Sequence, residues 1–262
     1  MTGPQQTSQY NENFADALQW LWGDGFLAPG GHEDVGALLA ETDLSGRSVL
    51  DVGSGLGVIT VELANTYGAR SAHGIDVEAH LVEQSQQRAA QAGVADRVTF
   101  ELVEPGPLRF ADSSFDVVFS KDVIVHIPDK QAFYRDVLQI LKPGGVFVGS
   151  DWLRGGEGFF SDVAEKWLAL VHLNFQMKNL EQTRETLQAA GFVDVRLNDR
   201  NAFHRGEVNK EVALLKQKLS ELEQRIGPEQ AQYRLKSSLL RQQVIDEGFL
   251  RPTHFIGIKP LD

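Results

Sequence analysis

Val49-Leu50-Asp51-Val52-Gly53-Ser54-Gly55-Leu56-Gly57 is the stretch on which the fold turns. Residues 48–51 are short and apolar enough for a buried strand. The three glycines that follow predict a tight turn opening at once into a helix over 58–67. Glycines in such a turn let the backbone approach a ligand closely. The next strand, 72–76, ends in Asp76, and an acid at that place can accept both ribose hydroxyls of an adenosine.

Outward from this unit the alternation continues. A helix is predicted over 79–92, strands over 98–103 and 115–120, and a helix over 130–141 closed by Pro143-Gly144-Gly145. A fifth strand follows over 146–150. Toward the N-terminus, 11–22 has the helical spacing of Phe14, Leu18, Leu21 and Trp22, then a glycine-rich loop over 23–31 and a helix from 35 to 40. Short apolar strands alternating with helices predict an α/β fold, a Rossmann-like doubly wound parallel sheet. After Ser150 the rhythm changes: helices over 159–173 and 180–190, a strand over 192–197, a charged helix over 208–226 and another over 233–245, and a last strand over 253–258. The long helix carries Val208, Val212, Leu215, Leu219 and Leu222 on one stripe. Five parallel strands plus two C-terminal strands are expected, with the late helices as a cap. The segments are an N-terminal lid (1–47), a ligand-binding core (48–150) and C-terminal core strands with the inserted cap (151–262).

Composition narrows the class. The chain has 262 residues, no cysteine and a net charge of −11. Thiolate metal sites and disulfides are excluded, and no clustered metal ligands stand out. The negative balance repels a phosphate backbone, so nucleic acid is an unexpected partner. No apolar run approaches the roughly 18 residues of a membrane span, and residues 1–10 lack a leader pattern. A cytoplasmic protein acting on a small molecule is the expectation; the oligomeric state is not legible.

Three details point past a dinucleotide. Asp51 stands before the glycine turn, where an acid suits a cationic amino-acid ligand and not a pyrophosphate. Phe115-Asp116-Val117-Val118-Phe119 runs into Ser120-Lys121-Asp122. Leu141-Lys142-Pro143-Gly144-Gly145 precedes the fifth strand. Together these segments resemble the class I S-adenosylmethionine (SAM)-dependent methyltransferases across residues 48–150. The resemblance implies SAM as cofactor, leaving S-adenosylhomocysteine. It places the cofactor against Gln9, Leu27, Gly30, Asp51, Gly53, Ser54, Gly55, Asp76, Val77, Glu104, Pro105, Ser120 and Lys121. In that family the third strand often ends in an Asp that receives the adenine amino group; here Glu104 holds the place.

The flanks resemble a narrower family, the phosphoethanolamine N-methyltransferases. Gln9-Tyr10, the run Gly23-Asp24-Gly25-Phe26-Leu27-Ala28-Pro29-Gly30-Gly31, and Ser120-Lys121-Asp122-Val123-Ile124-Val125-His126 carry the likeness. It implies Tyr10 and His126 as a catalytic pair over an amine, with Asp122 in support. Asp122 and His126 are four apart, which on a helical turn would place them on one face. Near neutrality, a His beside a carboxylate can take a proton from an ammonium. The family's phosphate grip is less well kept. Trp152 and Phe175 replace tyrosines and Leu173 an arginine, while Tyr233 and Lys236 are left to supply part of it. Trp and Phe cannot bind phosphate as a phenol does, but they can surround an ammonium through cation–π contact. The leading expectation is N-methylation of a small amine, phosphobase-like or a natural product. The alternatives are an O-, S- or C-methyltransferase of a specialised metabolite, a nicotinamide oxidoreductase and a non-catalytic SAM-binding protein.

Overall fold

The computed structural model describes residues 12–156, 161–171 and 175–262. Within them a seven-stranded sheet runs in the order β3-β2-β1-β4-β5-β7-β6. The strands are β1 (Ser48–Val52), β2 (Ser71–Asp76), β3 (Val98–Leu102), β4 (Phe115–Lys121), β5 (Leu141–Arg154), β6 (Val193–Asp199) and β7 (Leu250–Ile258). The first five are mutually parallel, and β7 enters antiparallel between β5 and β6. Every residue of β1 is buried, as a strand covered on both faces requires.

One face of the sheet is covered by α2 (Gly31–Leu39), α3 (Val58–Asn65) and α4 (Ala79–Gln91), whose Val35, Leu38, Leu63 and Val82 pack with Val49, Val117 and Val148. The other is covered by α5 (Lys130–Ile140) and α7 (Leu180–Ala190), through Phe133, Tyr134, Val137 and Leu187 on Leu50, Val118 and Phe147. Above the C-terminal ends of the strands sits the cap, formed by α1 (Glu12–Trp22), α6 (Asp162–Val171), α8 (Asn201–Ile226) and α9 (Pro228–Asp246).

Several boundaries differ from the sequence reading. β5 starts at Leu141, with Pro143-Gly144-Gly145 inside it at a register shift against β4, and it runs past Ser150 to Arg154. Trp152 is therefore a strand residue, opposite Pro252. α8 begins at Asn201, not Val208, and α9 at Pro228, a favoured first helical position. Of the predicted stripe on α8, Val208, Val212, Leu215 and Leu222 are buried. No helix among the described residues is long and apolar enough to cross a membrane.

Candidate active site

The glycine turn leaves β1 with Gly53, Gly55 and Gly57 all at positive φ (78°, 52° and 77°). A Cβ on Gly53 would fall 2.2 Å from the Val123 side chain, and one on Gly57 2.6 Å from Ser85, so both positions exclude any side chain. Gly55 faces Leu27, whose Cδ1 would lie 3.2 Å from an added Cβ. The turn is pinned because Gly53 N and Ser54 N both donate to the Ile75 carbonyl. Asp76, at the end of β2, accepts from Gly55 N at 2.8 Å and Glu78 N at 3.0 Å. Its burial raises the carboxyl above the usual range. Val77 beside it is half exposed, as is Leu102 at the end of β3. These bare apolar side chains flank the acid where an adenosine's flat base would lie. Val103 N bonds Asp76 O, which brings the following Glu104 and Pro105, both exposed, to the same edge.

The residues present fit SAM. Ser54 Oγ is buried in the turn with no hydrogen-bond partner among the described residues. Asp51, below the turn, has a hydrogen bond from Thr60 Oγ1 at 2.6 Å, and burial pushes its carboxyl up to about 7. A cationic amino group would relieve that burial cost. Gly30 caps α2 at φ 98°, and a Cβ added there would fall 2.6 Å from the Asp34 side chain.

Two residues expected at the cofactor have their polar atoms engaged by the protein. Ser120 Oγ donates to Val52 O at 3.0 Å across the sheet. Lys121 is buried between Asp34 (3.2 Å) and Asp122 (2.6 Å) and donates to Pro29 O. Burial lowers the Lys121 pKa, but the two carboxylates outweigh it and hold the ammonium above its ordinary value. Asp34 also meets His254 Nε2 at 3.0 Å, Arg200 Nη2 at 3.5 Å and His204 Nε2 at 3.6 Å. Burial pushes Asp34 up; the two histidines and Lys121 prevail and hold it far below the carboxylate range. Lys121 is thus the pin between the Leu27–Gly31 loop and the acceptor side, a structural role that the sequence reading did not give it.

Beside the glycine turn opens a recess of about 80 Å³. His126 and Asp122 reach it from the end of β4, Leu27 and Ala28 from the loop, and Phe14, Leu18 and Trp22 from α1. Trp152, Trp167 and Phe175 form its aromatic wall, with ring centroids 5.8–6.0 Å apart, and Phe175 lies 5.4 Å from the His126 ring. His126 belongs to a one-turn 3-10 helix, Ile124–His126. Burial first, and the charge of Lys130 second, lower its pKa to about 4 against the pull of Asp122, so the imidazole is neutral at pH 7. Asp122 does not share a helical face with it. Asp122 sits at φ 59°, before the turn, and its carboxylate takes Lys121 Nζ and Ser150 Oγ. The four-residue spacing misled because β4 ends in a left-handed residue there.

α9 faces the recess with Arg234, Ser237 and Arg241. Arg241 bonds Glu211 of α8, a buried carboxylate that also accepts from Trp22 Nε1 at 2.7 Å and from Ser238. Tyr233 and Lys236 are not among the lining residues. Tyr233 donates to Leu170 O, and Lys236 is exposed. The helical period explains the miss: the inward face of α9 runs through 234, 237, 238 and 241. Gln9, Tyr10 and Leu173 lie outside the described residues. Among the described residues no group of three or more His, Asp or Glu could hold a metal ion.

Comparison with known proteins agrees with this geometry. A family model described as a methyltransferase domain matches residues 43–215. Phosphoethanolamine N-methyltransferase 2 of Caenorhabditis elegans is 29% identical over 191 residues, 72% of this chain, and the chain spans only 42% of that relative's length. A 27-O-demethylrifamycin SV methyltransferase of Amycolatopsis mediterranei is 33% identical over 163 residues, covering 57% of this chain and 59% of its own. The solved structure of phosphoethanolamine N-methyltransferase 2 of Haemonchus contortus, in complex with phosphomonomethylethanolamine and S-adenosylhomocysteine, superposes with a TM-score of 0.88. It is 25% identical, over 97% of this chain and 59% of that one. The matched domain takes in the glycine turn, Asp76, the His126 turn and most of the sheet, and the chain belongs to the class I SAM-dependent methyltransferases.

Proposed function

We propose that the chain N-methylates a small amine held in the aromatic recess, and that the amine carries no phosphate. The observation that carries this reading is the recess itself. A neutral imidazole and three aromatic rings line one cavity beside the glycine turn, and Arg241 on its wall is already paired with Glu211. SAM supplies an electrophilic methyl when bound. His126 takes the proton from the incoming ammonium, which frees the nitrogen lone pair for attack. The rings of Trp152, Trp167 and Phe175 stabilise the cationic acceptor and methylated product and exclude water. Tyr10, eight residues before Leu18 in sequence, is the partner of His126 that the family likeness implies.

A phosphate monoester needs charge-assisted donors that are not already neutralised. Glu211 engages Arg241, and Arg234 beside it on α9 lies over the Phe14 ring, so both guanidinium groups of this wall are already engaged, which supports a free amine over a phosphobase. Rates of S-adenosylhomocysteine release with phosphoethanolamine and a panel of unphosphorylated amines test the reading. Turnover with an amine well above that with phosphoethanolamine is expected; efficient use of phosphoethanolamine would refute the missing grip. A second reading, O-methylation of a specialised metabolite, draws on the likeness to the rifamycin enzyme. Hydroxylated acceptors in the same panel distinguish it.

A further inference from the structure

The turn that carries His126 is held on every side. Val125 N donates to Asp151 Oδ1 at 2.8 Å, from the part of β5 that runs past the sheet's core. Lys130 Nζ, from the first turn of α5, donates to the carbonyls of Ile124 and Ile127, before and after His126. Gln176 N donates to Val125 O at 2.7 Å, which brings Phe175 against the imidazole. Asp151 and Lys130 are both buried, 2% and 3% exposed, and their opposite charges act on each other. A buried charge is costly unless paired and hydrogen-bonded. A one-turn helix in a loop does not require a buried lysine and a buried aspartate for its own closure.

We propose that Lys130 and Asp151 are positioning residues for His126: they fix the two ends of its turn and set the charge that the imidazole feels. The charged groups around the ring are few. Lys130 lies on the C-terminal side and Asp122 on the N-terminal side. Arg234 and Arg241 stand across the recess on α9, the latter neutralised by Glu211. Asp151 lies behind the turn, and Lys178 is felt at Lys130. Lys130 is the cation that reaches the imidazole, and it disfavours protonation there. The pair therefore keeps the base neutral while Asp151 keeps Lys130 in place. Neither residue lines the recess, and the sequence around them gives no motif.

The role of the pair in turnover rests on the reading of His126 as the base, but its effect on the imidazole does not. The test is an NMR titration of histidine-labelled full-length protein, with the His126 signal assigned by its loss in His126→Ala. In the unmodified protein the His126 midpoint should lie below that of a free imidazole. Lys130→Gln, which keeps an N–H donor but no charge, and Lys130→Met, which keeps neither, should raise it by about one pH unit. Lys130→Arg should restore it. With a methylated amine in hand, the acid limb of the kcat/KM profile should move with the midpoint. Lys130→Met should also lose about tenfold to a hundredfold in kcat, as a misplaced group does, with SAM affinity kept. A His126 midpoint unmoved in folded, SAM-binding Lys130→Gln protein would overturn the proposal. Turnover unaffected by His126→Ala would instead sink the base assignment and leave the titration result standing.

Discussion

Asp51 is the residue whose charge depends most on what lies above it. Burial raises its carboxyl to about 7, so without a cationic partner the group is near half-protonated at neutral pH. A cationic ligand amino group favours the ionised form. Binding then releases a proton, and SAM affinity should fall as pH drops from about 8 to 6. Calorimetry in buffers of different ionisation enthalpy reads the released proton directly; no release would place the amino group elsewhere. If Asp76 accepts the two ribose hydroxyls as proposed, Asp76→Ala should weaken SAM binding by about 2–3 kcal/mol, tens- to a hundredfold. An unchanged affinity would remove Asp76 from the site. Glu211→Gln frees Arg241 in the recess and should raise the rate with phosphoethanolamine relative to a free amine; an unchanged ratio would deny Glu211 that control. Glycine turn, Asp76 and His126 were readable because each lies within a few residues of a strand end. Glu211, Trp22, Trp167, Arg241, Lys130 and Asp151 were not, since only the fold brings them together and none sits in a local pattern.

Among the elements, α2 and α8 are tied to the sheet through Asp34. This carboxylate is fully buried and faces Lys121 of β4, His254 of β7, and Arg200 and His204 at the start of α8. That tie explains why the start of α8 was missed. His204 is buried on a polar partner, so the apolar stripe that marks the helix begins only at Val208. Likewise Asp151 broke the apolar pattern of β5 and hid its last four residues. Asp34→Ala leaves buried cations uncompensated and should cost about 3 kcal/mol or more in urea unfolding at pH 7. Asp34 is held below its unfolded value of about 3.9, so its contribution is full above that range and is lost as pH falls through and below it. The gap between the unmodified and substituted proteins should hold from pH 7 to about pH 4 and narrow below it; a gap that stays constant below about pH 4 would mean that packing, not charge, stabilises this joint. α1 is fastened differently. Its Trp20–Glu221 and Asp16–Arg225 contacts lie at the surface and are individually weak. Slower hydrogen exchange in α1 with SAM bound is expected if α1 closes over the recess. Equal protection in both states would contradict closure.

The whole molecule is a methyltransferase sheet that offers one end to two ligands. Its five parallel strands follow from alternating short apolar strands and helices, so that half was legible, though not the order in which they lie. The insertion of β7 between β5 and β6, and the way α1, α6, α8 and α9 enclose the recess, depend on contacts far apart in sequence. They had no signal beyond helical spacing. The same division separates what the two halves do. On the proposed reading, the sheet end with Asp51 and Asp76 holds the cofactor and the cap chooses the acceptor. The central claim joins them at His126, and SAM carrying a 13C-labelled methyl tests it most directly. The NMR spectrum of the product formed with the preferred amine should show the label on nitrogen. His126→Ala should lower its rate of appearance by about 10²–10⁴-fold while SAM affinity stays unchanged. A label found on oxygen or carbon, or a rate untouched by His126→Ala, would contradict the account.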